Sequence, residues 1–164
     1  MILIGLGSNI SGAGFNTSEE VLEAALNMLI NNDIDLLERS PWYRSAPIPA
    51  SDQPWFVNGV AMIRTGLPAV ALLEALHRVE GKFGRVRVRR NESRTLDLDL
   101  LAYDNQIAQD PDGLVLPHPR LQERAFVLQP LADLAPAWRH PITGLTAAEM
   151  LDLLPPGQVV ERLT

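Results

Sequence analysis

Between Thr95 and Tyr103 the chain reads TLDLDLLAY, and this alternation constrains the fold more than any other feature. Side chains with a period of two fit a β-strand with one buried face. Leu96, Leu98 and Leu100 then point into a core, while Asp97 and Asp99 share the opposite face. A half-buried strand needs partner strands and a covering layer, and the rest of the chain supplies candidates for both. Residues 1–7 (MILIGLG) have the composition of a short buried strand. Gly5, Gly7, Gly12 and Gly14 match neither phosphate-loop spacing and are read as a turn. Thr17 and Glu20 form a capping box before a helix with Val21, Leu22, Ala25, Leu26 and Leu29 on one face. Residues 33–45 read as a strand interrupted by Pro41, and residues 55–65 as its hairpin partner. Leu67-Pro68 opens a second helix striped by Leu72, Leu73, Leu76 and Val79, ending near Gly81 or Gly84. A Pro-rich loop at 111–120 and a short helix at 121–133 come last. The order strand, helix, strand, strand, helix, strand predicts an α+β fold. The expected form is a ferredoxin-like antiparallel sheet with helices on one face, a single-domain sandwich over 1–164. Residues 137–164 are expected as a C-terminal appendage with weak helix at 146–153.

Charge narrows the partners. The net charge is −6, which disfavours a general nucleic-acid binder. Yet the stretch from Arg78 to Arg94 is +5, and the rest of the chain is −11. Thirteen of the fourteen basic residues are Arg, the side chain whose fork recognises phosphate or carboxylate. There is no cysteine, so disulfides, thiolate zinc sites and cysteine nucleophiles are excluded. No apolar run approaches the length of a membrane span. The N-terminus MILIGLGSNI shows no basic leader, so a cytoplasmic protein is expected.

Two carboxylates on one strand face, roughly 6–7 Å apart, repel unless a cation lies between them. Hard oxygen donors suit Mg²⁺, which completes its shell with water and substrate phosphates. Arg94, Arg87 and Arg85 lie just upstream, so a magnesium–polyphosphate has both a metal site and guanidinium forks. Taken alone, the Asp pair also reads as an ordinary exposed strand face. His118, between two prolines and near Arg120 and Arg124, is placed to donate to a phosphate or to serve structure. His77 and Glu80 share a helix face, as a surface pair or as partners of a base. Phe56 and Phe126 offer stacking faces beside Asn58, whose amide can pair with a heterocycle edge; each Phe also reads as core packing. His140 has no evident partner and is expected on the surface.

These residues lie within longer runs: IGLGSN near the start, YRSAPIPASDQPWFVNGV, then SRTLDLDLL following GRVR, and LPHPRLQERAFVLQPLADLAP. Together, over about residues 1–136, they resemble the 6-hydroxymethyl-7,8-dihydropterin pyrophosphokinase family. The resemblance implies transfer of diphosphate from ATP to the hydroxymethyl group of a reduced pterin, giving AMP, in folate biosynthesis. It implies that Asp97 and Asp99 hold two Mg²⁺ ions and that Arg85 and Arg94 act with them in catalysis. ATP would be bound by His77, Glu80, Arg87, Arg94, Leu100, His118 and Arg124. The pterin would lie between Phe56 and Phe126, with Asn58 on its edge and Ser45, Ala46 and Ile48 beside it. The loop RVRRNES departs from many members, being one residue shorter and lacking a Trp. Phe56 stands where Tyr is frequent, His77 where Gln is frequent, and Ser93 where Pro is frequent.

The alternative from another class is a non-catalytic pterin- or nucleotide-binding protein of the same fold; both metal carboxylates argue against it. RNA binding on the sheet would need exposed aromatic residues on the strands. A metal-dependent nuclease shares the Asp pair but leaves Phe56, Asn58 and Phe126 unexplained. The expected partners are two small molecules, with no nucleic acid, no membrane and a monomeric chain. The Arg-rich loop is expected to order when both substrates bind.

Overall fold

The computed structural model describes residues 1–9, 14–84, 95–111 and 113–163. Its elements in chain order are β1 (Ile2–Ser8), α1 (Ser18–Ile30), β2 (Ile34–Arg39), β3 (Tyr43–Ser45), β4 (Phe56–Thr65), α2 (Ala69–Lys82) and β5 (Asp97–Tyr103). Then come β6 (Ala108–Gln109), β7 (Val115–Leu116), α3 (Ala125–Leu134), α4 (Ala147–Asp152) and β8 (Val160–Arg162). The α+β class and the antiparallel sheet are as the sequence predicts. The main sheet runs β5-β1-β4-β3-β8, and β2 pairs with the other half of β4. Pro41 separates β2 from β3, so one long partner for β4 becomes two short ones.

Strand parity sorts the core. Ile2, Ile4 and Leu6 of β1, with Leu98 and Leu100 of β5, pack under the apolar stripes of α1 and α2. Leu3, Val60 and Leu101 lie on the opposite face of the sheet. The expectation of helices on one face holds for α1 and α2. The other face is covered as well, by α3, α4 and Trp138. The segment from 137 onward was expected as an appendage, but it is built into the fold. Ala147 and Met150 are almost wholly buried, Trp138 is 7% exposed, and β8 extends the main sheet through β3. Its apolar residues are sparse and irregularly spaced, which hides this from periodicity.

Local signals act as anticipated with two changes. Thr17 caps α1 by accepting from Glu20 N, but the Glu20 carboxylate reaches the backbone N–H of Asn16 rather than that of Thr17. The full reciprocal box is at α4, between Thr146 and Glu149. Gly5 and Gly7 belong to β1 and do not form a turn.

Candidate active site

The register of the sheet builds the site. Asn58 of β4 faces Gly7 of β1, and Gly7 faces Asp97 of β5. Tyr43 of β3 continues this row on the far side of Asn58. The next row brings Gly5 opposite Asp99. Directly paired residues share a face, so both aspartates and Asn58 project from the face that carries α3 and α4. Those helices cover one end of that face and leave the other open. Gly7 gives the open end a floor without a side chain, whereas Gly5 lies against the side chain of Leu101. At Gly7 the absence matters, because a Cβ there would sit 3.0 Å from Asn58 Oδ1.

One cavity at this end is lined by Gly7, Ser45, Ala46, Pro47, Ile48, Gln53, Phe56, Asn58, Asp97, Arg124 and Phe126. The six residues that the resemblance assigns to the pterin (Ser45, Ala46, Ile48, Phe56, Asn58 and Phe126) all line it. Asn58 is buried, and its Nδ2 donates to Ser45 Oγ at 2.7 Å. That bond fixes which way the amide points, with Oδ1 over Gly7. Asn9, also buried, donates to Gln53 Oε1 and to the carbonyl of Pro54, pinning the loop that leads into Phe56. Gly7, Pro47 and Gln53 escaped the sequence reading. The spacing of two between Gly5 and Gly7 inside an apolar strand was the available signal for the first.

A second cavity adjoins the other side of the aspartates. It is lined by Leu73, His77, Leu98, Asp99, Leu100, Gly113, Leu114, Val115, His118 and Pro119. Three residues assigned to ATP, namely His77, Leu100 and His118, meet here. Arg124 belongs to the first cavity, but its Nη1 lies 3.7 Å from Asp99 Oδ2, so it spans the boundary. Glu80 sits apart from both: it is 1% exposed, and its Oε2 accepts from Leu98 N at 2.9 Å, bracing β5 against α2. Arg85, Arg87 and Arg94, and with them the expected ordering of the Arg-rich loop, lie outside the described residues.

His118 has a defined state. Its Nδ1 accepts from Arg120 N at 3.2 Å, so a neutral ring carries its proton on Nε2. Burial, helped by the Arg124 guanidinium, pushes its pKa from 6.5 down to about 4, although Asp97 opposes the shift. The ring is therefore neutral near pH 7. Its Nε2–H lies 3.9 Å from Asp99 Oδ1, too far for a hydrogen bond, and remains a donor directed at the boundary between the cavities.

The carboxylate pair passes a chemical test as a magnesium site. Asp97 opens on one cavity and Asp99 on the other, and both are half-buried. Among the described residues no group of three or more His, Cys, Asp or Glu gathers as a closed cage. Two hard carboxylates with room for water and phosphate are what Mg²⁺ uses.

Two clefts thus flank the carboxylate pair on an antiparallel α+β sheet, Asp97 lining one and Asp99 the other. Comparison with known proteins places the chain further. The chain belongs to the 7,8-dihydro-6-hydroxymethylpterin-pyrophosphokinase family, whose model matches residues 3–136. It is 42% identical over 163 residues to the 2-amino-4-hydroxy-6-hydroxymethyldihydropteridine pyrophosphokinase of Pseudomonas aeruginosa, covering 99% of this chain and 96% of that one. It is 44% identical over 133 residues to the enzyme of that name from Haemophilus influenzae, covering 80% and 79%. Among solved structures it resembles Plasmodium falciparum HPPK-DHPS with a TM-score of 0.71 and 11% identity. That match covers 93% of this chain but only 44% of the other, so this chain spans less than half of that protein. At such identity the likeness concerns the fold. Among the described residues no helix is long and apolar enough to cross a membrane.

Proposed function

We propose that this chain transfers diphosphate from ATP to the hydroxymethyl group of 6-hydroxymethyl-7,8-dihydropterin, releasing AMP and feeding folate synthesis. The observation that carries the reading is the paired row Asn58, Gly7, Asp97, in which an amide and a carboxylate flank a residue without a side chain. A flat pterin entering the first cavity would lie between the rings of Phe56 and Phe126, with its polar edge toward Asn58. Its hydroxymethyl group would then extend toward Asp97 and the second cavity, where ATP would be held by His77, Leu100 and His118.

The reaction forms a bond from the substrate hydroxyl oxygen to the β-phosphorus, breaks the bond from that phosphorus to the oxygen that leaves with AMP, and releases the hydroxyl proton to solvent. Asp97 and Asp99 would hold two Mg²⁺ ions, which when bound withdraw charge from phosphate oxygens. Arg124 would lend its guanidinium to the transferring group from the boundary, and the neutral His118 would donate its Nε2–H to a phosphate oxygen. Arg85, Arg87 and Arg94 complete the anion site by resemblance. Glu80 enters this scheme by resemblance too, and its buried contact with Leu98 N suits an indirect role through β5. A cytoplasmic, monomeric enzyme acting on two small molecules belongs to the same proposal.

Replacing either aspartate tests the assignment. Asp97→Ala and Asp99→Ala should each cut turnover by about 10²-fold or more, as loss of a key electrostatic group does. Turnover within a few-fold of the parent in both variants would remove the metal role.

A further inference from the structure

The two walls of the first cavity come from distant parts of the chain. One is the end of β3 with the loop after it, which carries Ser45, Ala46 and Ile48; the other is the start of α3, with Arg124 and Phe126. A third segment, beyond the family-matched residues, touches both. Gln158 Oε1 accepts from Ala125 N at 2.8 Å, and Gln158 Nε2 donates to the carbonyl of Glu123 at 2.9 Å. Arg124, at the N-cap position, gives α3 no side-chain cap, so a glutamine 33 residues downstream satisfies the first helical N–H in its place. The next residue holds the other wall: Val159 O accepts from Ala46 N at 3.2 Å, and β8 then pairs with β3 as far as Tyr43. One run of five residues thus clamps both sides of the cavity.

We infer that Gln158 is a positioning residue for the pterin site: its amide, anchored through Val159 and β8 to one wall, sets where Arg124 and Phe126 stand relative to Ser45 and Ala46. This rests on the reading of the first cavity as the pterin site. Gln158 lines neither cavity that an aspartate lines, but a third one with Ile48, Arg124 and Phe126, so its effect passes through the α3 start. Because the two bonds flank Arg124 as well as holding the start of the helix that carries Phe126, their loss should fall mainly on the pterin, with a smaller effect on ATP through Arg124.

The test compares Gln158→Leu, similar in size but unable to make either bond, with Gln158→Glu, which keeps the acceptor for Ala125 N. In Gln158→Leu the pterin KM should rise about five-fold or more, the factor expected from one lost hydrogen bond. The ATP KM should rise less than the pterin KM, and Gln158→Glu should recover part of the loss. Amide exchange at Ala125 in the ligand-free protein should accelerate in Gln158→Leu. An unchanged pterin KM, or an ATP KM that rises as much as the pterin KM or more, overturns the inference. Unchanged exchange at Ala125 overturns the clamp itself. If the parent protein binds no pterin, the functional reading fails; faster exchange at Ala125 would still establish the clamp, and the claim about pterin affinity would fall with that reading.

Discussion

Gly7 shows how one missing side chain organises the site. It lies between Asn58 and Asp97 in the sheet, and a methyl group there would meet Asn58 Oδ1 at 3.0 Å. Gly7→Ala should push the Asn58 amide away from the Ser45 hydroxyl that orients it. The expected result is a pterin KM raised about five-fold or more, from one weakened buried hydrogen bond, with the fold retained. An unchanged pterin KM would show that Asn58 does not read the pterin. At this scale the sequence was informative where chemistry has few substitutes. Asp97 and Asp99 stood out because alternation placed like charges on one face, and Phe56, Asn58 and Phe126 because scarce aromatics beside an amide suit a flat heterocycle, a set that the resemblance joins into one pterin site. Gly7 was hidden because a strand glycine signals by what it lacks, and its partner Asn58 is 51 positions away in sequence, beyond any local pattern. Glu80 looked like half of a surface pair with His77, since both share a helix face. Burial of Glu80 against Leu98 N depends on where β5 docks, which spacing does not reveal.

Elements were legible where they repeat and opaque where they are short. The stripes of α1 and α2 and the alternation of β5 gave their faces correctly, because long amphipathic runs bury one side only. The turn between α3 and α4 was not legible. His140, expected on the surface, is 4% exposed, and its Nδ1 accepts from the backbone N–H groups of both Ile142 and Thr143. Among the described residues its Nε2 has no hydrogen-bond partner, and the ring stands edge-on to Trp138. Burial lowers its pKa below 6.5. Protonation would also place a hydrogen on Nδ1, against the two N–H groups it now accepts. The unfolded chain therefore binds this proton more readily than the folded one. Its contribution to stability is complete above about pH 6.5, the unpaired value, and is lost as pH falls from there toward the folded pKa. His140→Asn offers an acceptor without an ionisable ring. Urea titrations of parent and variant should show the parent losing more stability than the variant between pH 7 and pH 5. Parallel losses would show that His140 does not titrate with folding.

At the scale of the whole molecule, the two faces of the sheet do different work. One face is sealed along its length by α1 and α2 and carries the larger core. The other is sealed only at one end by α3, α4 and Trp138; its uncovered end holds the first cleft, and the second opens along β5 between α2 and residues 113–119. The sequence order gave the sheet and its first layer, since each element announced itself locally. The second layer rests on α3, packed on β4 and β3, with α4 docked on α3 and β8 on β3, and the sparse apolar residues of 137–163 do not advertise such long-range docking. The proposed reaction joins a pterin to a diphosphate taken from ATP. Its test is to incubate the purified chain with ATP and Mg²⁺, with and without 6-hydroxymethyl-7,8-dihydropterin, and to resolve AMP from ADP. AMP should appear only when the pterin is present, in equal amount to the diphosphorylated pterin. ADP as the product, or no nucleotide turnover in the presence of the pterin, would contradict it.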